Sequence, residues 1–244
     1  MINTFTKQRF FFILINIANK QFKYKTGFTL AEVLVTLAII GVVAALTIPS
    51  LIQSTQNAGT VTRVKKIYST LSQVYTSLEA NDETMDSIFA GNFDNAAALN
   101  NLAPKLQIIK NCGTANFGGC FPDVTYVRLD NTVEGNIESG ALAKVILADG
   151  TLLLIMDYNG GCDNDIFGIP GSPLCHICAR ILVDINGKKG PNQFGKDTFY
   201  FWATRTGFIP AGTQYDTPFY DCATTGSRGM GCAGKIILDG AVNY

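Results

Sequence analysis

One long apolar stretch near the N-terminus dominates the hydrophobic pattern of this chain. Residues 28–49 are almost wholly apolar, contain neither Lys nor Arg, and hold a single carboxylate, Glu32. As a helix rising about 1.5 Å per residue, they would cover about 33 Å, which matches a hydrocarbon core of about 30 Å. The pattern predicts a transmembrane helix over residues 28–50. An ionisable side chain inside such a span is costly and is therefore a functional candidate.

Residues 51–80 continue with a different, amphipathic pattern. Apolar positions recur three and four residues apart, which puts them on one side of a helix, and polar residues occupy the other side. The stripe covers only about two and a half heptads, which is short for a coiled coil. We therefore predict that it extends the first helix and packs on a head domain. The stripe consists of Val61, Val64, Tyr68, Leu71, Tyr75 and Leu78.

The remaining residues, 81–244, carry short helical signals followed by strand signals. Asp94 is a candidate cap for a turn over Asn95–Leu99, and Asp149-Gly150 is a strong hairpin signal. A long helix followed by strands, without βαβ alternation, is typical of an α+β fold. The predicted class is α+β, with a long N-terminal spine helix packed on an antiparallel β-sheet head. We predict strands at Val124–Leu129, Leu142–Ala148, Thr151–Asp157, Ala179–Asp184, Thr198–Ala203 and Lys235–Leu238.

Charge is distributed unevenly, although the net charge is zero. Residues 1–27 hold five basic residues and no acidic one. Positive charge before an apolar span places that end in the cytoplasm and the rest of the chain on the other side. The segment beyond the span is slightly acidic, so bulk nucleic-acid binding is disfavoured. The apolar patch at residues 10–18 is too short to span a bilayer, and no small-residue cleavage site follows it, which disfavours a general signal peptide.

Residues 27–32, Gly-Phe-Thr-Leu-Ala-Glu, resemble the processing site of type IV prepilins and type II secretion pseudopilins. The resemblance covers residues 25–50 closely and the rest of the chain only in layout. It implies a leader, residues 1–27, that a prepilin peptidase removes between Gly27 and Phe28. It also implies methylation of the new N-terminal Phe28. Glu32 then becomes the fifth residue of the mature chain, where the family places its carboxylate.

The resemblance further implies how the chain would be used. The Glu32 carboxylate of one subunit would meet the N-terminal amine of its neighbour, and Gly41 and Pro49 would weaken the helix during assembly. The implied partners are other pilin-like subunits, the prepilin peptidase, an inner-membrane assembly platform and membrane lipid. The implied location is a single-pass inner membrane with the leader cytoplasmic and the head periplasmic or extracellular, and then a filament. The chain would be a structural subunit, not an enzyme. The large head is compatible with a minor subunit, and pilus and secretion pseudopilus both stay open.

All seven cysteines lie beyond the span, on the side where disulfides persist. Cys112 and Cys120 bracket one Gly-rich loop, and Cys222 and Cys232 bracket another, so both pairs are disulfide candidates. Cys162 is expected to pair with Cys175 or Cys178. An odd count leaves at least one cysteine without an intramolecular partner.

The run Cys175-His176-Ile177-Cys178 raises a competing thiol-redox function. A redox CxxC normally opens a helix after a strand, whereas a strand-like run follows here. A zinc site is also disfavoured, because His176 is the only histidine and no second CxxC completes a tetrahedral set.

Four residues between two predicted strands are candidate calcium ligands: Asp184, Asn186, Asn192 and Asp197. Their spacing departs from that of an EF-hand, and Lys188 and Lys189 would repel a cation. A hydrogen-bonded Asx-turn explains the same residues, so both interpretations stay open. The alternative to a filament subunit is a membrane-anchored extracytoplasmic domain that binds sugar or DNA, and the thiol-redox protein is the third option.

Overall fold

A computed structural model describes residues 27–90, 93–158, 161–165, 169–223 and 226–244. The predicted leader therefore lies outside the described residues, except for Gly27. The described residues divide into two compact units, one that ends at Ile52 and one that begins at Gln53.

The first element is a single helix, α1 (Leu30–Glu79), 50 residues long. Its first part has exposed apolar side chains, and by length and composition it is the one helix among the described residues that could cross a membrane. The helix runs through both Gly41 and Pro49, the residues that the resemblance associates with weakening of the helix during assembly. A proline inside a helix removes one backbone donor, and this helix continues despite that loss.

Within the second unit, the later part of α1 buries one side. Val64, Ile67, Leu71, Val74 and Leu78 are at most 3% exposed. They share a core cluster with side chains from the sheet, and the rings of Tyr68 and Phe201 stack with centroids 6.4 Å apart. The predicted packing of an amphipathic half-helix on a head domain is confirmed.

The head contains a six-stranded antiparallel sheet in the order β1-β4-β5-β6-β7-β8, and a separate β2–β3 pair. The α+β prediction, with a long helix on an antiparallel sheet, is confirmed. One face of the sheet packs on α1, and loops cover much of the other. The strands are β1 (Ile108–Gly113), β2 (Tyr126–Val127), β3 (Val133–Gly135), β4 (Ala143–Leu147), β5 (Leu152–Asp157), β6 (Ile177–Asp184), β7 (Thr198–Thr204) and β8 (Gly207–Pro210).

Three short helices complete the head: α2 (Met85–Ile88), α3 (Asn95–Leu102) and α4 (Cys232–Asp239). Asp94 caps α3 as predicted, because its side chain accepts a hydrogen bond from the N–H of Ala97 at 2.9 Å. The β4–β5 hairpin also forms at the predicted turn, where Gly150 adopts φ +85°.

Two strand predictions need correction. The predicted strand Lys235–Leu238 is wrong, since these residues belong to α4. Its two adjacent isoleucines favour a strand, but Gly240 closes a helix there in the left-handed conformation and donates its N–H to the carbonyl of Ile236. The predicted strand Val124–Leu129 shrinks to β2, and β1, β3 and β8 were not predicted at all.

The three disulfides are Cys112–Cys120, Cys162–Cys178 and Cys222–Cys232. Of the two partners left open for Cys162, the structure pairs Cys178. Cys175 is the free thiol among the described residues. The disulfides tie loop segments to β1, β6 and α4, which are elements that reach the core.

Candidate functional site

The start of α1 brings together the residues that the sequence marks for processing and assembly. Gly27 and Phe28 precede the helix in non-helical backbone and are exposed, and the Phe28 side chain is 87% exposed. An exposed, non-helical segment is a form in which a peptidase can take a peptide bond into its active site. The bond between Gly27 and Phe28 is therefore accessible in this conformation.

Thr29 and Glu32 form reciprocal hydrogen bonds at the helix start. The N–H of Thr29 donates to Glu32 Oε2 at 2.9 Å, and the N–H of Glu32 donates to Thr29 Oγ1 at 3.2 Å. The Thr29 hydroxyl also donates to Glu32 Oε2 at 2.8 Å. This is a capping box, which satisfies two backbone donors that the first turn leaves free. Glu32 therefore has a partner inside its own chain before any neighbour arrives.

The Glu32 side chain is nevertheless exposed, so a positively charged group from elsewhere can reach it. A single carboxylate accepts several hydrogen bonds through its two oxygens. The Glu32 carboxylate can therefore accept from a second donor while Thr29 still contacts one of its oxygens.

The basic residues of α1 beyond the span contact the head itself. Lys66 Nζ lies 2.7 Å from Asp149 Oδ2, and Arg63 donates to the carbonyl of Ile185 at 3.4 Å. Both contacts help to hold this part of the helix on the sheet.

The loop between β6 and β7 collects the four candidate calcium ligands. Asp184 accepts hydrogen bonds from the Tyr126 hydroxyl at 2.9 Å and from the N–H of Asn186 at 3.2 Å. Asp197 accepts from the N–H groups of Asn192 and Gln193, both at 2.7 Å. The contact between Asp184 and Asn186 is the predicted Asx-turn geometry. Hydrogen bonds thus hold much of the loop without an ion.

Electrostatics favour a positive partner for these same carboxylates. Burial, together with the neighbouring Asp197 carboxylate, raises the pKa of Asp184 to about 7, and burial raises the pKa of Asp197 as well. The side-chain oxygens of Asn186 and Asn192 are buried and have no hydrogen-bond donor in the structure. Two buried carboxylates and two unpaired amide oxygens are the donor types that calcium takes, so the donor set fits a hard cation.

Neither Lys188 nor Lys189 forms an ion pair with a carboxylate of this loop among the described residues. The ammonium group of Lys188 donates a hydrogen bond to the carbonyl of Gly119 at 2.8 Å, and Lys189 is exposed. The repulsion expected from these two lysines is therefore smaller than the sequence suggests.

The CxxC run is not a paired dithiol here. Cys178 is bonded to Cys162, and the thiol of Cys175 contacts the carbonyl of Ile169 at 3.2 Å. Strand β6 begins inside the motif, at Ile177, and continues the strand-like run that the sequence predicts after it. The described residues contain no group of three or more His, Cys, Asp or Glu side chains that could hold a metal ion.

The side-chain contacts of two arginines, Arg205 and Arg180, could not be predicted from the sequence. Arg205, after β7, pairs with Asp86 and Asp163 at 2.9 Å each and contacts His176. Arg180, in β6, lies over the ring of Tyr200 without an acidic partner among the described residues. Local patterns of hydrophobicity and charge carry no signal for either, because the partners come from distant segments.

A comparison with known protein families finds a match over one region of the chain. Residues 22–48 match the model of the prokaryotic N-terminal methylation motif, which is the signature of type IV prepilins and pseudopilins. No curated protein and no solved structure matches the chain. The chain thus carries the prepilin signature on a long apolar helix, whereas the head has no matched relative.

Proposed function

We propose that this chain is made as a precursor, cut between Gly27 and Phe28, and added as a subunit to a type IV pilus or a type II secretion pseudopilus. One observation carries the proposal: the matched methylation motif places its cleavage site directly before the start of α1. Its cleavage site is exposed and non-helical, its carboxylate Glu32 lies in the first helical turn, and an apolar span follows. The size of the head supports a minor rather than a major subunit.

The proposal assigns the remaining partners by topology. The leader would face the cytoplasm, the apolar part of α1 would cross the inner membrane, and the head would lie in the periplasm or outside the cell. The prepilin peptidase would cut and methylate the chain, and an assembly platform in the same membrane would add it to the filament. Residues 81–244 then form the surface that the filament presents.

We expect Gly27→Val to abolish processing. A β-branched side chain at this position restricts the backbone and fills space next to the scissile bond that glycine leaves empty. The measurement is intact mass after co-expression with a prepilin peptidase. The parent chain should lose residues 1–27 and gain one methyl group on Phe28, and the variant should keep its full mass.

Gly41→Ala is the matched control for this experiment, since nothing lies within 4 Å of a Cβ at that position. It should be cut and methylated as the parent chain is. A parent chain that stays intact, or is cut at another bond, would contradict the proposed processing.

The head has a second proposed property: the loop between β6 and β7 binds calcium through Asp184, Asn186, Asn192 and Asp197. The unpaired amide oxygens and the raised pKa values of the two carboxylates support it. Bound calcium would supply the positive charge that the buried carboxylates lack. We expect a dissociation constant on the order of 0.1–1 mM, as in extracellular calcium modules.

Calorimetry of the full chain in nanodiscs tests this property. Calcium should give a saturable heat, which Asp197→Asn should remove. Asp149→Asn should not remove it, because Asp149 is paired with Lys66 outside the loop. The absence of any heat at millimolar calcium would leave the hydrogen-bonded Asx-turn as the full account of these residues.

A further inference from the structure

Arg180 occupies an unusual position on the face of the sheet that looks away from α1. In the register of the sheet it stands between Met156 of β5 and Trp202 of β7. Its guanidinium carbon lies 4.8 Å from the ring centroid of Tyr200, and one of its nitrogens lies 3.2 Å from Met156 Sδ. It also hydrogen-bonds with the side chain of Tyr220. Aromatic rings and a thioether therefore surround most of this cation.

Within the described part of the chain, no acidic side chain forms an ion pair with Arg180. No carboxylate oxygen of the described residues lies within 4.0 Å of a nitrogen of this guanidinium. Glu134, which lines the same cleft as Arg180, already pairs with Arg128 at 2.6 Å. Arg205, by contrast, holds two carboxylates. A partly buried charge without a paired counter-charge is costly, so an added anion would stabilise this site.

A cleft opens next to the Arg180 guanidinium. It has a volume of about 170 Å³, and Arg180, Glu134 and Tyr200 contribute to its lining. The rest of its wall is mainly apolar, with Ile137, Leu142, Leu154, Leu182 and Phe194. Its volume equals that of roughly six water molecules at about 30 Å³ each, and because the cleft is open to solvent a ligand can extend beyond it. Mainly apolar walls with a few polar groups are the usual lining of a ligand site, and this volume is smaller than the roughly 300–1,000 Å³ of a drug-sized pocket, so it suits a small ligand.

We propose that this cleft binds a carboxylate joined to a short apolar group. The carboxylate would take the two parallel N–H donors that a guanidinium presents, and the apolar group would lie against Leu142 and Leu154. One unbalanced positive charge fits a singly charged ligand better than a phosphate. The C-terminal apolar residue of a peptide chain and a free short-chain carboxylic acid both offer this chemistry. The proposal does not depend on filament assembly.

Trp202 provides the readout, because it is the only tryptophan of the chain and is a neighbour of Arg180 in the sheet. We would record its fluorescence in the full chain, held in nanodiscs of neutral lipid, during titration with sodium hexanoate. We expect saturation with a dissociation constant on the order of 1 mM. Hexanol, which lacks the charge, and acetate, which lacks the apolar group, should bind at least roughly tenfold more weakly.

Arg180→Gln should weaken hexanoate binding at least tenfold. Arg228→Gln is the matched control, since this second arginine also lies over an aromatic ring, Phe219 at 4.2 Å, but does not line the cleft. Arg228→Gln should bind as the parent chain does. If the Trp202 emission of Arg180→Gln matches that of the unfolded chain, this variant has not folded, and Leu142→Phe is used as the test instead. It fills the cleft, leaves Arg180 in place, and should also weaken binding.

Two further arms identify the source of the carboxylate. The dipeptide acetyl-Ala-Leu with a free C-terminus should bind, and its C-terminal amide should not. Tighter binding of the dipeptide than of hexanoate assigns the site to a chain terminus, and the reverse order assigns it to a free acid. Equal binding of hexanoate and hexanol, unchanged binding in Arg180→Gln, or no saturation with either carboxylate would overturn the proposal.

Discussion

Replacing Glu32 with alanine is expected to leave the precursor fully cleaved and to remove the mature chain from filaments. Cleavage depends on the exposed segment at Gly27 and Phe28, which the substitution does not touch. Assembly, as proposed, brings the new N-terminal amine of one subunit to the Glu32 carboxylate of the next. An ion left unpaired within the hydrocarbon costs at least about 2.5 kcal/mol. Since 1.4 kcal/mol is a factor of about ten, incorporation should fall by more than roughly tenfold.

The capping box allows a sharper version of this experiment. Glu32 also accepts hydrogen bonds from Thr29, so a loss of assembly in Glu32→Ala could reflect a frayed helix start. Thr29→Val removes the hydroxyl and its cap, but keeps the carboxylate. It should enter filaments at close to the parental level if the charge of Glu32 matters, and should fail as Glu32→Ala does if only the cap matters.

Glu32→Gln separates charge from hydrogen bonding. The glutamine oxygen can still accept from the Thr29 N–H, so the helix start is kept, but the side chain cannot neutralise an amine. The measurement is the ratio of the variant in sheared filaments to that in membranes, beside the cleaved fraction by mass. Normal incorporation of both Glu32 variants would contradict the assigned role of the carboxylate.

Helix α1 could be predicted from the sequence because the hydrophobic patterns that specify it lie within neighbouring residues. The apolar span and the stripe that includes Val64, Leu71 and Leu78 each follow from helical periodicity alone. The buried side of α1 is the predicted one, with Ile67 and Val74 added. The hairpin at Asp149-Gly150 and the cap at Asp94 are equally local, since neighbouring residues specify each of them.

The rest of the head depends on contacts between distant segments. The two adjacent isoleucines of α4 look like a strand in isolation, and the helix forms where Gly240 ends it and Cys232 ties it to Cys222. Strand β1 has three exposed residues at its centre and two register shifts against β4, so no clean alternation marks it. Tertiary context outweighs local propensity at these places.

The candidate sites divide in the same way. The processing and assembly residues lie within six consecutive positions, so the sequence alone brings them together. The choice of Cys178 over Cys175 for Cys162 required the structure, because both lie at similar distances along the chain. The Arg180 cleft is built from four strands and two loops, and the lack of an ion pair to Arg180 among the described residues is visible only once these distant segments are placed together.

The largest effect on stability is expected from Gly231→Ala. A Cβ at Gly231 would lie 1.8 Å from the carbonyl oxygen of Tyr220 and 2.9 Å from the Cα of Gly212. Both obstacles are backbone, so no side chain can rotate away. Asp216 fixes the opposing segment, because it accepts hydrogen bonds from the N–H of Gly212 at 2.6 Å and from the indole of Trp202 at 2.8 Å.

Overpacking typically costs about 1–3 kcal/mol, and a clash with fixed backbone belongs at or above the upper end. We therefore expect Gly231→Ala to lower the free energy of unfolding by at least about 3 kcal/mol. The measurement is urea unfolding of the full chain in nanodiscs, followed at Trp202. Gly59→Ala is the control, because Gly59 lies within α1 with nothing within 4 Å of its Cβ position.

The two substitutions add the same methyl group and should change stability in opposite directions. Alanine exceeds glycine in helix propensity by about 1 kcal/mol, so Gly59→Ala should stabilise the chain by up to that amount. The loss in Gly231→Ala can then be assigned to the close approach of three backbone segments, not to the loss of glycine as such. A Gly231→Ala variant within 0.5 kcal/mol of the parent chain, roughly the range of neutral surface changes, would show that these segments do not pack as described.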